Sequence, residues 1–267
     1  MNRQEITSVQ NPKIKEAVKL RERREREFSG LFLIEGYREL LRAKEGGMVC
    51  TQLFYCPSLF LGENEEALIN SIDAAHFICS EAVFRKLSYR DRPDGLLAVA
   101  EQRHLKLEDL AQIEKPLYVV AEAIEKPGNL GTILRSCDAV GAHALIVCDR
   151  CTDVHNPNVV RASVGTLFTI PVVEAEGKEV LSWLKGRGVH ILAATPHAQA
   201  LYTDVDLNCP LAIAVGTEQY GLSDLWMQEA DLQVKLPMCG RADSLNVATA
   251  TTVLLYEALR QRGRQRR

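Results

Sequence analysis

From Leu117 onward the chain repeats one pattern: a short, almost wholly apolar segment followed by a polar stretch with helical spacing. The apolar segments are LYVVAEA, ALIVC, FTIPVV, VHILAAT, LAIAVG and LQVKLP, all rich in Val, Ile, Leu and Ala. A strand with one wet face alternates apolar and polar residues, whereas a strand covered on both faces need not. Such segments separated by helices predict a Rossmann-like α/β domain, a parallel sheet with helices on both sides. Sheets of this kind bind ligands beyond the carboxyl ends of their strands. Chemistry is therefore expected in EKPGNLGTILRS, TPHA, GTEQYGLS and PMCGRADSLN, which follow the first, fourth, fifth and sixth of these segments.

PMCGRADSLN leads through Asp243, Ser244 and Asn246 into an apolar helix-forming run from Val247 to Leu259. Such residues cap helix N-termini, and one is enough. Ser244 and Asn246 on either side of Leu245 exceed that need, so a cap and one wall of a ligand site both stand as readings. In EKPGNLGTILRS, Gly128 and Gly131 bracket Asn129 at the start of a helix that carries Arg135. Free backbone N–H groups there can approach a phosphate, and a guanidinium can grip one through two parallel hydrogen bonds. A plain N-cap and a surface ion pair are the alternatives. The spacing is neither GxGxxG nor a P-loop. Gly216 and Gly221 around Glu218 suit a tight loop, and Glu218 also suits an ordinary acid near a helix start. Asn129, Arg135, Glu218, Ser244 and Asn246 include no His or Cys, which argues against a hydrolase triad.

The first hundred residues are organised differently. A basic helix is expected near 11 to 27, a strand from Leu31 to Ile34, a helix from Tyr37 to Ala43, and short strands in QLFYC, HFICS and GLLAVAE. This predicts a small α/β domain at residues 1–105, a polar linker at 106–116 and the second domain at 117–267. Both ends are basic: residues 1–44 hold 11 Lys or Arg against 7 Asp or Glu, and Arg260 to Arg267 holds five Arg and no acid. In KIKEAVKLRERREREF the signs alternate at helical spacing, which fits a solvated helix with i to i+4 pairs or an RNA-facing surface. The Arg run fits long-range attraction to phosphates or a disordered tail. A net charge of −3 argues against a protein that coats nucleic acid indiscriminately.

The eight cysteines lack the spacing of a disulfide scaffold, and the close pair Cys148 and Cys151 lacks a second ligand pair, so no metal is expected. No apolar run approaches the roughly 20 residues that span a bilayer, and the N-terminus has no signal-peptide core. A cytoplasmic protein without a membrane partner is expected.

Taken in order, EKPGNLGTILRSCDAVGA, AVGTEQYGLS and LPMCGRADSLNVATATTVLLYEA resemble the three motifs of the SpoU/TrmH-type RNA ribose 2'-O-methyltransferases of the SPOUT superfamily. NVVRASVGTLFTIPV between them is also similar, and the resemblance runs from Leu117 to Gln261. ITSVQNPKIKEAVKLRERREREFSGLFLIEGYRELLRA is similar to the substrate-binding module of the ribosomal-RNA members, a small ribosomal-protein-like α/β fold.

The resemblance implies a deep trefoil knot in the C-terminal sheet. It implies S-adenosylmethionine as cofactor, held in a bent form by Thr195, Gly216, Leu236, Met238, Leu245 and nearby backbone. Catalytic residues would be Asn129, Arg135, Glu218, Ser244 and Asn246, serving attack of a ribose 2'-hydroxyl on the sulfonium methyl. In this reading Arg135 binds the adjacent RNA phosphate, Asn129 orients Arg135 and the ribose, Ser244 and Asn246 shape the pocket, and Glu218 fixes its loop. A homodimer is implied; the apolar residues Val253, Leu254, Tyr256 and Leu259 of the last helix suit its interface, and packing on the sheet of their own chain is the alternative for each. Structured ribosomal RNA is the expected partner, because a separate docking domain suits a folded element read by shape. Transfer-RNA ribose methyltransferases share the catalytic motifs, and an idle RNA-binding or ribosome-assembly protein would keep the same fold.

Overall fold

A computed structural model describes residues 3–263. Of the basic C-terminal run, Arg264, Arg266 and Arg267 lie outside the described residues. The chain forms two compact units, Met1–Arg103 with Asp153–Thr169, and His104–Thr152 with Ile170–Arg267.

The first unit contains β1 (Arg3–Ile6), α1 (Pro12–Lys19), α2 (Arg23–Ser29), β2 (Leu31–Glu35), α3 (Tyr37–Glu45), β3 (Cys50–Tyr55), α4 (Glu65–Asn70), β4 (Ala75–Cys79), α5 (Glu81–Leu87) and β5 (Leu96–Glu101). Its sheet runs β1-β4-β3-β5-β2, parallel from β1 to β3 and antiparallel where β5 pairs with β3 and β2. Ile6, Ile14, Leu33, Phe54, Phe77, Phe84 and Leu97 build one core beside it.

The single helix expected over 11–27 is two helices. Asn11 caps α1, its Oδ1 accepting the Lys13 N–H at 3.0 Å, and α2 stops at Gly30 in the left-handed region at φ 68°. The break follows from Arg26, which is 1% exposed instead of solvated. Its Nη1 donates to the Leu20 and Arg21 carbonyls at 2.8 and 2.7 Å, groups just past α1 that a continuing helix would have satisfied. Its Nε and Nη2 each reach Asp153 Oδ2 at 2.7 Å.

In chain order there follow β6 (Leu117–Glu122), α6 (Pro127–Val140), β7 (Ala144–Cys148), α7 (Pro157–Ser163), β8 (Val172–Ala175), α8 (Gly177–Gly186), β9 (His190–Ala194), β10 (Ala200–Leu201), β11 (Leu211–Val215), α9 (Asp224–Glu229), β12 (Leu232–Lys235) and α10 (Val247–Gln261). All but α7 belong to the second unit, whose sheet has the order β10-β12-β9-β11-β6-β7-β8. Every pairing in it is parallel. The strands β6, β7 and β11 are buried along their whole length, as their unbroken apolar runs require. α10 packs on α6, where the Ser136 and Thr252 hydroxyls meet at 2.6 Å.

Two boundaries differ from the sequence reading. The strand expected in FTIPVV begins only at Val172, because Pro171 has no N–H to give a ladder and Phe168 ends a 3-10 turn. The chain passes between units at Arg103 and His104, and Asp153–Thr169 packs with the first unit although it interrupts the second. Within that unit the Phe32 ring lies 4.7 Å from His155 and 6.1 Å from Phe168.

Candidate active site

The site lies in the second unit, where three strand-end segments meet. Asn129 projects from the first turn of α6, Glu218 from the loop after β11, and Asn246 stands at the entrance of α10. Asn129 Nδ2 donates to Glu218 Oε1 at 2.9 Å and Asn246 Nδ2 to the same oxygen at 2.5 Å. Asn246 Nδ2 also donates to Asn129 Oδ1 at 3.1 Å, which closes a triangle. Asn246 still caps its helix, its Oδ1 accepting the N–H groups of Ala248 and Thr249 at 3.1 and 3.4 Å. Cap and site wall are thus one residue.

Lys126 Nζ bonds Glu218 Oε2, a partner that sequence reasoning missed. It stands immediately before the Pro that opens α6, a place that gives a Lys no distinctive sequence signal. The Lys126 ammonium first, then the Asn129 amide, holds the Glu218 carboxyl below its usual range. A lowered carboxyl keeps its ionic contacts above the ordinary carboxylate range and loses them as pH falls through the lowered value. Lys126→Ala is therefore expected to move Glu218 titration up, toward the ordinary carboxylate range; a carboxyl 13C titration by NMR that shows no upward movement would remove Lys126 as the main cause.

The loop that carries Glu218 is closed on itself. Thr217 N–H donates to Gly221 O at 2.9 Å, Gly221 N–H returns to Thr217 O at 3.0 Å, and Tyr220 N–H donates to Thr217 Oγ1 at 2.9 Å. Gly216 permits this closure, since a Cβ there would stand 2.1 Å from Gly221 O. A buried carboxylate supports the same region: Glu122, at the end of β6, accepts the Ser223 hydroxyl at 2.6 Å and the Ser223 N–H at 2.8 Å.

The expected cofactor residues gather by topology. Thr195 follows β9, Gly216 follows β11, and Leu236 and Met238 follow β12; these three strands are neighbours in the order β12-β9-β11. Gly216 is buried, Thr195, Leu236 and Met238 are half-buried, and Leu245 is 39% exposed. The backbone groups from Leu236 to Leu245 make no hydrogen bond to any described residue. A small, shallow pocket opens at the triangle, lined by Ile124, Glu125, Lys126, Asn129, Thr217, Glu218 and Val247.

Two expected residues stand apart from the triangle. Arg135 and Ser244 are exposed, and their side chains make no hydrogen bond or ion pair to any described residue. The expected contact of Asn129 with Arg135 is not made: the Asn129 amide is committed to Glu218 and Asn246. Six positions along α6 also turn the two side chains about 120° apart.

Residues 116–256 match the SpoU rRNA Methylase family. The chain belongs to this family. Residues 11–98 match the MRM3-like substrate binding domain. The SpoU chain is 33% identical to a 23S rRNA (uridine(2479)-2'-O)-methyltransferase of Streptomyces viridochromogenes, over 90% of this chain and 86% of that protein. It is 30% identical to the 23S rRNA (guanosine(2553)-2'-O)-methyltransferase RlmP of Bacillus subtilis, over 94% and 98%. Among solved structures, the AdoMet-bound rRNA methyltransferase of Sinorhizobium meliloti superposes with a TM-score of 0.89 at 31% identity, over 97% of this chain and 98% of that one. The SpoU methyltransferase AviRb of S. viridochromogenes, in complex with AdoMet, gives 0.88 at 32% identity, over 96% and 100%.

Proposed function

We propose that the chain transfers the methyl group of S-adenosylmethionine to a ribose 2'-hydroxyl in ribosomal RNA. The observation that carries this reading is the Asn129–Glu218–Asn246 triangle, set at the carboxyl ends of a parallel sheet in a SpoU-family chain.

The residues present fit the cofactor. Half-buried Leu236 and Met238 offer apolar surface for an adenine, and the unbonded backbone from Leu236 to Leu245 offers donors and acceptors for its edge. None of Thr195, Gly216, Leu236, Met238 and Leu245 is charged, so a sulfonium meets no positive side chain among them. When bound, S-adenosylmethionine supplies an electrophilic methyl.

The protein's part is to place the hydroxyl and remove its proton. Glu218 accepts from both amides and so fixes Asn129 and Asn246 as one rigid wall for the ribose. Ser244, exposed two residues before Asn246, completes that wall. The Arg135 side chain has no hydrogen-bond or ion-pair partner among the described residues and is available to an RNA phosphate, which it can bind bidentately. A guanidinium stays protonated, so the hydroxyl proton leaves to that phosphate or to water. Glu218, tied up by three donors, serves the loop's geometry.

In this proposal the unit Met1–Arg103 with Asp153–Thr169 binds the RNA, and the unit His104–Thr152 with Ile170–Arg267 carries the reaction, its sheet region forming a deep trefoil knot. The enzyme works in the cytoplasm as a homodimer. Val253 and Leu259 are half-buried and Tyr256 is 50% exposed, leaving an apolar strip on α10 for a second copy. Leu254, expected there too, is withdrawn from that strip because it is packed inside its own chain.

The test is transfer of labelled methyl to unmodified ribosomal RNA and to transfer RNA, with the product mapped by mass spectrometry. Label on a ribose of ribosomal RNA is expected; label on transfer RNA alone would move the substrate, and no cofactor binding at all would leave an idle RNA-binding protein. In the same assay Arg135→Ala should lower kcat/KM by about 10- to 100-fold, the size of a lost charge-assisted hydrogen bond. Arg135→Lys should recover only part of this, since an ammonium cannot form the two-pronged contact. Full recovery by Lys would refute a bidentate grip.

A further inference from the structure

The side chain of Tyr220 is unexplained by anything above. It is 79% exposed, more than Ile113, Leu245 or Tyr256, the other large apolar side chains exposed in the second unit. An exposed aromatic on a mobile loop needs no explanation, because it can fold back against apolar surface or sample many positions. Tyr220 has neither freedom at its backbone. Thr217 and Gly221 clasp each other across the loop, the Tyr220 N–H is held by Thr217 Oγ1, and Gly216 seats the loop against Gly221 at a distance no Cβ would tolerate. The ring is therefore presented to solvent from a fixed support, two residues from Glu218 and the site triangle.

The surroundings select the partner. Lys126, 67% exposed, stands on one oxygen of Glu218, and Arg135 is an exposed guanidinium with no hydrogen-bond or ion-pair partner among the described residues. An aromatic face with cations on the same unit suits a polyanion that also carries flat rings, which is a nucleic acid strand. The adenine of the cofactor does not need this ring, because the half-buried Leu236 and Met238 already supply apolar cover. A nucleotide splayed out of the stack brings its ribose most directly to a fixed catalytic wall, and its unstacked base then needs a new platform.

We infer that Tyr220 stacks on the base of the splayed nucleotide beside the methylated ribose, positioning that ribose for the reaction. This rests on the ribosomal-RNA methyltransferase reading and adds to it a positioning residue that touches the substrate base. Stacking uses the ring and not the hydroxyl, and every base has a π face, so the contact is tolerant of base identity.

The experiment compares the full-length wild type, Tyr220→Ala and Tyr220→Phe in two measurements on unmodified ribosomal RNA. One is methyl transfer with KM for RNA separated from kcat. The other is RNA binding by fluorescence anisotropy, which needs no turnover; S-adenosylmethionine affinity by calorimetry runs beside both. Tyr220→Ala should weaken RNA binding and lower kcat/KM about 10- to 100-fold, the range that loss of one stacked base gives, with cofactor affinity unchanged. Tyr220→Phe should restore both. Equal RNA binding by wild type and Tyr220→Ala overturns the inference, as does a parallel loss of cofactor affinity, which would make Tyr220 a support of the loop. A Phe variant as weak as Ala overturns it too, since the hydroxyl would then carry the contact. If the wild type binds RNA without methylating it while Tyr220→Ala binds poorly, the stacking inference stands and the methyltransferase reading falls.

Discussion

Replacing Arg26 with Leu is expected to destabilise the first unit by about 3–5 kcal/mol, the cost of leaving a buried charge without its partner. Asp153 is 5% exposed and receives two guanidinium nitrogens at 2.7 Å. Without them its carboxylate would keep the His155 N–H at 2.8 Å and lose its counter-charge. The loss reaches further, because the Leu20 and Arg21 carbonyls lose the donor that ends α1. Asp153→Leu should cost a similar amount from the opposite side. The double variant should recover a good part of the sum, since apolar groups of similar volume can replace a buried pair. Urea unfolding followed by a probe in the first unit measures this, and a single-variant loss under about 1 kcal/mol would mean water reaches the pair. Because the two units need not unfold together, one probe per unit is required.

Arg26 also shows where reading the sequence reaches its limit. REREF has the alternating signs of a solvated helix, and nothing local marks one Arg of that run as the buried one. Its partner lies 127 positions away. The second unit was far more legible, because burial on both faces writes itself directly into β6, β7 and β11 as unbroken apolar runs. Pairs too short to show a period were not legible: β10 has two residues, and β1, RQEI, has one buried residue in four. The site divides in the same way. Asn129, Glu218 and Asn246 sit at strand ends and helix starts, where local rules place polar groups near a ligand, and the fold brings them into mutual contact. Lys126 was hidden because an exposed Lys before a Pro has no distinctive pattern. Arg135 and Ser244 have motif positions, but their side chains make no hydrogen bond or ion pair among the described residues, so nothing within the fold marks their role.

Gly216→Ala is expected to lower kcat/KM by more than about 100-fold, the usual effect of moving a catalytic wall by roughly 1 Å. An added Cβ would sit 2.1 Å from Gly221 O and 2.4 Å from Leu222 N. Both are backbone atoms, so no side-chain rotation relieves the clash and the Thr217–Gly221 clasp must open. Glu218 then leaves Asn129, Asn246 and Lys126 together, since one loop carries all its contacts. The effect should appear in S-adenosylmethionine affinity as well as turnover, because Gly216 directly follows β11 and is itself one of the residues expected to hold the cofactor. That double loss separates it from Arg135→Ala, which acts on RNA alone and should leave cofactor affinity intact. Gly221→Ala offers a graded control: Gly221 has a φ of 71° and open space around a Cβ, so its cost is backbone strain of about 1 kcal/mol without a collision. The control should lose about tenfold or less. Gly216→Ala binding the cofactor as tightly as wild type would mean that the clasp and the cofactor segment move independently, and that Glu218 organises the ribose side of the site only.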